Sequence, residues 1–467
     1  MMTGPGFRKY YLPVLSLLLL SLQARASDPL KDAEARIQKY RMREVVLALK
    51  DKGGNPIKGV RGQARMERHQ FLFGGNLFLF EQFPTRAKNE RYLKLWAGLF
   101  NYATLPFYFP QYEPKPGRTQ EYRLREMTDW CRWNKVTIKG HPLIWHEIWG
   151  NPDWIPKEPE KLEPILKKRV ENLVIDFPEI QYWDLINEPT TAWRHSTPIA
   201  LWQNQIGPVE AARRARNWFQ AANSDAKYLL NDYNVWKYFG IAFFLAHPIK
   251  AIKTLLNPVK HYSFSYYAYL QELKKQGIAP DAIGIQSHMH MGKWPMTRVW
   301  KLCETYAKLG LPIHFTETTV LSGKTRRKIN YWDAEKNRPW PSTRKGEQNQ
   351  AEYVEKFYTL LFSHPAVSAI TWWDLSDKDA WLNAPAGLVR ADLTPKPAYQ
   401  ALHRLIREKW WTNYEGRSDE QGELKFRGFC GDYRLDLPAE KTKFQFQIDC
   451  RKPEGQRIEF QIPGKKF

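Results

Sequence analysis

Between about Phe71 and Glu408 the chain alternates short runs rich in β-branched and aromatic residues with longer stretches whose apolar positions recur at helical spacing. That alternation predicts parallel strands joined by helices. Eight strands are expected, at Phe71 to Gly75, Asn101 to Leu105, Val136 to His141, Tyr182 to Asn187, Tyr228 to Asp232, Ala282 to Ser287, Ile313 to Glu317 and Ala369 to Trp373. Amphipathic helices are expected between them, at Arg123 to Trp133, Leu162 to Ile175, Val209 to Ala222, Tyr262 to Gln276, Val299 to Leu309 and Gln350 to Ser363. Eight such units close an α/β barrel of the (β/α)8 TIM type, in which active sites sit on the loops that follow the strands.

The flanks read differently. Val45 to Leu49 and Val60 to Arg68 bracket Lys52-Gly53-Gly54-Asn55-Pro56, a turn signal that predicts a β-hairpin. Past the barrel, Leu424 to Arg427, Tyr433 to Leu437, Lys443 to Ile448 and Arg457 to Ile462 read as short strands. The two terminal segments are expected to pack together as one small accessory β module beside the barrel. The division is then 1–26 as a leader, 27–70 as an N-terminal β segment, 71–410 as the barrel and 411–467 as a C-terminal β segment. Two connections are too long to be simple links. One follows Asp232 and carries Trp236, Phe239, Phe243 and Phe244. The other follows Glu317 and carries Lys324, Arg326, Arg327, Lys328, Arg338, Arg344 and Lys345 with Trp332 and Trp340. Both leave strand ends, so both are expected to wall a cleft there.

Arg8 and Lys9 precede an apolar run from Leu12 to Leu22 and then Ala24-Arg25-Ala26, the plan of a signal peptide cut after Ala26. The run falls short of the roughly 20 apolar residues that a spanning helix needs, so a secreted or periplasmic location is expected and stable membrane insertion is not. The net charge of +22 would ordinarily point to nucleic acid. Export favours an anionic polysaccharide instead, and no nucleic-acid partner is expected. The 20 Trp and 23 Tyr supply flat faces that stack on sugar rings, although most of them must be core. Cys131, Cys303, Cys430 and Cys450 are too few and too scattered for a disulfide scaffold, and they lack the spacing of metal ligands. If a bridge forms it is Cys430 with Cys450, the other two being small buried residues on barrel helices. No metal or other cofactor is expected, and the chain is expected to be a monomer.

Cleaving a glycosidic bond takes two facing carboxyl groups, one to protonate the leaving oxygen and one to attack carbon or activate water. Two expected strands end in candidates. Trp183-Asp184-Leu185-Ile186-Asn187-Glu188-Pro189 closes the fourth with an Asn-Glu pair, and Pro312-Ile313-His314-Phe315-Thr316-Glu317 closes the seventh with a lone Glu. Alone, either could be a helix cap or an ion-pair partner. Five further stations accompany them: Gly140-His141-Pro142-Leu143-Ile144-Trp145-His146, Asn231-Asp232-Tyr233-Asn234, Gly284-Ile285-Gln286-Ser287-His288, the stretch from Trp373 to Asp377 with Trp381, and Lys396-Pro397-Ala398-Tyr399.

In order and spacing these stations resemble the endo-β-1,4-xylanases of glycoside hydrolase family 10. The similarity covers about Phe71 to Leu405, and Phe426-Arg427-Gly428-Phe429 in the flank is similar to plant-type members. The resemblance implies cleavage of β-1,4-xylosidic or related linkages by a retaining double displacement, with Glu188 as acid and then base and Glu317 as nucleophile. It also implies that Asn187 meets the 2-hydroxyl of the attacked sugar, and that His141, Trp145 and Gln286 meet neighbouring hydroxyls or the nucleophile. His146 joins the substrate-binding set, His288 hydrogen-bonds Glu317, and Trp373 and Trp381 form an aromatic wall. Competing readings are satisfied core histidines for His141 and His146, a His-x-His metal pair for His288 with His290, and plain packing for Trp373 and Trp381.

The pattern departs from the family in three places. The second strand normally leads into a Glu-Asn and a Lys-Trp pair that bind the glycone sugar; here it leads into Thr104-Leu105-Pro106-Phe107-Tyr108-Phe109. Hydroxyl contacts beyond the cleaved sugar are therefore expected to differ, which alters specificity more than bond breaking. Thr319 stands where an Asp usually orients the histidine partner of the nucleophile, and Asp374 replaces a Gly, adding a third carboxyl. The alternatives to a xylan hydrolase are a glycosidase for a branched or acidic β-glycan and a carbohydrate-binding barrel without turnover.

Overall fold

The computed structural model describes residues 28–223, 225–236, 265–452 and 455–463. The signal-peptide reading, Phe239, Phe243, Phe244 and the first turn of the helix expected from Tyr262 lie outside the described residues. Strands follow in chain order as β1 (Met42–Lys50), β2 (Arg61–His69), β3 (Leu72–Asn76), β4 (Tyr102–Pro106), β5 (Thr137–His141), β6 (Ile144–Trp145), β7 (Tyr182–Asn187) and β8 (Lys227–Asp232). They continue as β9 (Ala282–His288), β10 (Ile313–Thr319), β11 (Val367–Trp372), β12 (Asn413–Arg417), β13 (Glu423–Phe429), β14 (Gly431–Leu437), β15 (Thr442–Ile448) and β16 (Gln456–Gln461).

Eight of these, β3, β4, β5 and β7 to β11, are parallel and close a barrel. β11 pairs with β3 on one side and β5 with β7 on the other, while the two-residue β6 adds to β7. Helices cover the outside and side chains fill the inside, so barrel strands are buried on both faces and read as near-continuous apolar runs. Interior crowding also explains Gly140: a Cβ there would lie 2.2 Å from the Trp183 ring on the neighbouring strand.

Helix starts follow local chemistry. Thr197, Ser265 and Thr343 accept backbone N–H groups of the first turn, and Pro159, Pro198, Pro208 and Pro397 begin helices where no N–H is needed. A helix at Arg86–Leu99, capped by Thr85, fills the link between β3 and β4. Its buried Asn89, Tyr92, Trp96 and Leu99 recur at helical spacing. Cys131 and Cys303 are buried on helices Tyr122–Trp133 and Met296–Ala307.

Outside the barrel, sheets β13-β1-β16 and β12-β2-β14-β15 interleave strands from both ends of the chain. The expected hairpin of β1 with β2 does not form, because the two strands join different sheets. The turn itself closes, with Asp51 N donating to Asn55 O at 2.9 Å. The pairing runs one step further, with Ile57 N donating to Leu49 O at 3.0 Å, before the buried Ile57 and Val60 carry the chain to the second sheet. The facing of the sheets shows at Gly62 of β2, where a Cβ would strike Leu424 of β13 at 2.5 Å.

The sheets are tied to the floor of the barrel, where the strands begin. Gln70 N donates to Cys430 O, Cys450 N donates to Gln70 Oε1, and Arg41 donates to the carbonyls of Phe362, His364 and Val367. Cys430 and Cys450 form a disulfide beside these contacts. The opposite mouth, where strands end, is thereby left to the long loops. Among the described residues no helix is long and apolar enough to cross a membrane.

Replacing Gly140 by Ala is expected to cost about 1–3 kcal/mol, the usual range for overpacking a filled interior. Urea unfolding followed by Trp fluorescence measures it; an unchanged midpoint would mean that the Trp183 ring moves aside freely.

Candidate active site

Four strands deliver their last residues to one point at the mouth. Asn187 ends β7 and Glu188 follows it, Asn231 lies near the end of β8, Gln286 and His288 close β9, and Glu317 lies near the end of β10. The Gln286 side-chain amide donates to Glu188 Oε1 at 3.1 Å and to Glu317 Oε1 at 3.1 Å. One nitrogen between two carboxyls thus holds their near oxygens within about twice that length of each other.

Each carboxyl has further partners. Trp145 Nε1 donates to Glu188 Oε2 at 3.0 Å. Asn231 Nδ2 donates to Glu317 Oε1 at 2.6 Å, and His288 Nε2 lies 2.9 Å from Glu317 Oε2. The same Asn231 amide bonds Asn187 Oδ1 at 2.9 Å, which leaves the Asn187 amide nitrogen as a donor for a ligand. Thr319 Oγ1 lies 2.8 Å from His288 Nδ1. A hydroxyl can donate or accept, so it leaves open the ring tautomer that an Asp would fix.

Backbone geometry also aims Glu188. It adopts φ +58°, a left-handed conformation costing roughly 1–2 kcal/mol in a residue with a Cβ, and its N–H donates to Asn231 O at 2.6 Å. Asp232 holds the turn from below, accepting from Thr190 N and Oγ1, and burial pushes its carboxyl up to about 6. Beneath the pair, buried Asp184 accepts from Lys139 Nζ at 2.7 Å and lies 2.7 Å from His141 Nδ1. That contact orients His141 toward the site.

Environment separates the two acids. Burial raises Glu188, the Glu317 charge adds to it, and the bonds from Trp145 and Gln286 only partly offset them, leaving its carboxyl near pH 8. Burial also acts on Glu317, but there the His288 bond and the charges of His141, His288 and Lys139 outweigh it and hold the group below its ordinary value. At neutral pH one is a proton donor and the other a carboxylate, the split that acid and nucleophile roles require.

Aromatic rings frame the pair. Trp373 packs edge-on to His141 at 5.5 Å and to Phe78 at 5.4 Å, and Trp381 lies 4.4 Å from His288. Tyr108 contacts the rings of His141, Trp145 and Phe78, so the stretch that lacks the family's polar pairs lines this part of the mouth with aromatics. Asp374 accepts from Trp381 N, and burial pushes its carboxyl up to about 7. The loop after Glu317 reaches across, with Tyr331 6.3 Å from Trp381 and Trp332 6.4 Å from His195. Trp340 of that loop is buried against Leu321, Ala384 and Ala386.

The structure brings Glu188, Glu317, His141, Trp145, Asn187, Gln286, His288, Trp373 and Trp381 together and sets His146 apart. His146 is fully enclosed, with Nε2 3.2 Å from Thr191 Oγ1, behind the turn that follows Glu188. Asn231, Lys139, Asp184 and Tyr108 were not singled out for the site. Asn231 and Asp184 stood inside the quoted stations, which was their only signal; what they touch depends on strands distant in sequence.

A closed parallel barrel with two buried carboxyls of opposite protonation state at its mouth is the catalytic architecture of glycoside hydrolases. The model of Glycosyl hydrolase family 10 matches residues 109–405, and the chain belongs to that family. The matched span begins after Tyr108, so the stretch lacking the polar pairs falls largely outside it. Endo-1,4-beta-xylanase B of Thermotoga neapolitana is 27% identical over 292 residues, 59% of this chain and 71% of that protein. Anti-sigma-I factor RsgI6 of Acetivibrio thermocellus is 23% identical over 431 residues, 91% of this chain and 48% of that protein, so the chain spans about half of that relative's length. Endo-1,4-beta-xylanase 2 of Arabidopsis thaliana is 22% identical over 94% of this chain and 37% of its own length. In fold, xylanase 10B of Thermotoga petrophila, solved with xylobiose, superimposes with a TM-score of 0.57 at 23% identity, covering 73% of this chain and 95% of that one.

Removing the indole donor should raise Glu188 further, because the Trp145 bond favours its charged form. In Trp145→Phe, carbon NMR of labelled glutamate should show Glu188 titrating above its wild-type midpoint near pH 8. Titration in the ordinary carboxylate range in either protein would contradict this picture.

Proposed function

We propose that the protein is an exported retaining glycoside hydrolase that cleaves β-1,4-linked, xylan-like polysaccharides, with Glu188 as acid/base and Glu317 as nucleophile. The observation that carries this reading is the Gln286 amide joining a protonated Glu188 to an ionised Glu317. Near oxygens bridged by one nitrogen lie closer than the roughly 6.5–9.5 Å of inverting enzymes, which favours retention.

Glu188 donates its proton to the glycosidic oxygen while a Glu317 oxygen attacks the anomeric carbon, so the bond to the leaving sugar breaks as a glycosyl ester forms. Esterification removes the Glu317 charge, one of the causes that keep Glu188 protonated, and the Glu188 pKa falls. As a base it then takes a proton from water, whose oxygen attacks the same carbon and releases Glu317. The free Asn187 amide faces the 2-hydroxyl, and Trp373 and Trp381 offer faces to the ring.

Activity requires Glu188 protonated and Glu317 ionised. kcat/KM should fall on the acid side as Glu317 takes up its proton, below the ordinary carboxylate value, and on the basic side above about pH 8 as Glu188 loses its own. Glu188→Gln should slow hydrolysis of substrates with poor leaving groups by about 10²–10⁴-fold. Glu317→Ala should release no reducing sugar from any member of a glycan panel. Binding without release by the wild type as well would make the barrel a carbohydrate-binding module.

The substrate reading extends to charge. Lys324, Arg327 and Lys328 are exposed on the loop whose Tyr331 and Trp332 reach the cleft, whereas Arg326 and Arg338 are engaged by Asn337 O and Glu335. Glycans carrying acidic substituents should therefore be cleaved faster than neutral ones, with the difference shrinking as salt rises. Equal rates at low ionic strength would remove the anionic preference.

A further inference from the structure

The loop that follows β6 and the loop that follows Glu188 meet at His146, Glu147 and His195, beside the carboxyl pair. One donor atom from each residue lies within 4.8 Å of the others. His195 Nε2 is 2.9 Å from Glu147 Oε1, and the two imidazole rings are 4.9 Å apart. All three are sheltered: His146 is fully buried and the side chains of His195 and Glu147 are 14% and 15% exposed.

The hydrogen bonds of His146 show which nitrogen is available. The Thr191 hydroxyl donates its one proton to Glu188 O at 3.0 Å. At 3.2 Å from His146 Nε2 it can then only accept, so Nε2 carries the ring proton. Nδ1 is left as a bare lone pair, buried and without a hydrogen-bond partner. A buried acceptor of this kind is uncommon, and metal-ligating histidines have the same arrangement, one nitrogen donating to an oxygen while the other faces the ion.

We propose that His146, Glu147 and His195 form a binding site for a divalent transition metal, with Zn2+ the best match. Two imidazoles and one carboxylate are a three-ligand zinc set with a fourth position for water, whereas Mg2+ and Ca2+ prefer oxygen ligands. With Zn–N and Zn–O bonds of about 2.0–2.2 Å, ligand atoms sit roughly 3.3 Å apart, which the cluster reaches by closing its widest gap by about 1.5 Å. Arg194, whose charge acts on His146, Glu147 and His195, opposes a dication and weakens the site. Through Thr191 the metal would brace the turn that holds Glu188 in its left-handed conformation. Sequence alone gives little hint of the cluster, because His195 lies far along the chain from the other two residues.

The test uses the full secreted chain without a histidine tag, freed of metal by chelator dialysis. Titration with Zn2+ alone in a calorimeter, and with Co2+ followed by visible absorption, should show one saturable site per chain and a raised melting temperature. His195→Ala and Glu147→Gln should weaken Zn2+ by about tenfold or more, as should Thr191→Val, which removes the acceptor of the Nε2 proton. Arg194→Met should tighten it, and Mg2+ should not compete. Absence of a saturable site, or Zn2+ affinity unchanged in both His195→Ala and Glu147→Gln, overturns the proposal. Should one of these two variants fail to fold, as judged by circular dichroism, the other decides. Every readout is free of substrate, so the outcome is independent of the hydrolytic reading.

Discussion

Two carboxyl groups placed around one amide in a water-poor pocket cannot both be ionised without a large electrostatic cost. The barrel settles the asymmetry through what surrounds each oxygen. Glu317 receives Asn231, His288 and the positive charges of Lys139 and His141, while Glu188 receives only neutral donors and the field of its partner. Lys139, Asp184 and His141 lie beneath the pair, so part of the bias comes from the barrel interior. One of the charges that ionise the nucleophile, Lys139, is therefore enclosed in the barrel interior.

That division also explains how the site tolerates change. The residues that set protonation come from β5 to β10. Of the differences from the family pattern, Thr319 on β10 contacts His288 and Asp374 follows β11, whereas the aromatic stretch follows β4, where Phe78 and Tyr108 pack against Trp373, His141 and Trp145. Aromatic surface after β4 can replace hydroxyl-binding groups while Trp145, Gln286, Asn231 and His288 keep their bonds to the two carboxyls. The accessory sheets are fastened to the opposite face, and their strands contribute no side chain to the carboxyl site.

Much of this was legible from the chain. Barrel strands stand out because burial on both faces makes them short apolar runs, and Glu188 and Glu317 stand out because each ends one. The misreadings have a common physical origin. The turn at Lys52 to Pro56 is a local signal, and it does form, but which sheet β2 joins depends on pairing with strands roughly 350 residues away. Asn231 looks like a strand-end amide until Asn187 and Glu317 are brought to it from two other strands. Pairwise geometry between distant strands was the missing information in each case.

The central claim is that Glu188 and Glu317 act in turn on the same sugar ring, which fixes the stereochemistry of the product. Proton NMR of the first sugar released from a β-1,4-linked oligosaccharide, recorded before mutarotation, reads that directly. The account predicts the β-anomer as the first product, converting to the equilibrium mixture with time. Initial appearance of the α-anomer would mean that water attacks in a single displacement, and the assigned role of Glu317 would be wrong.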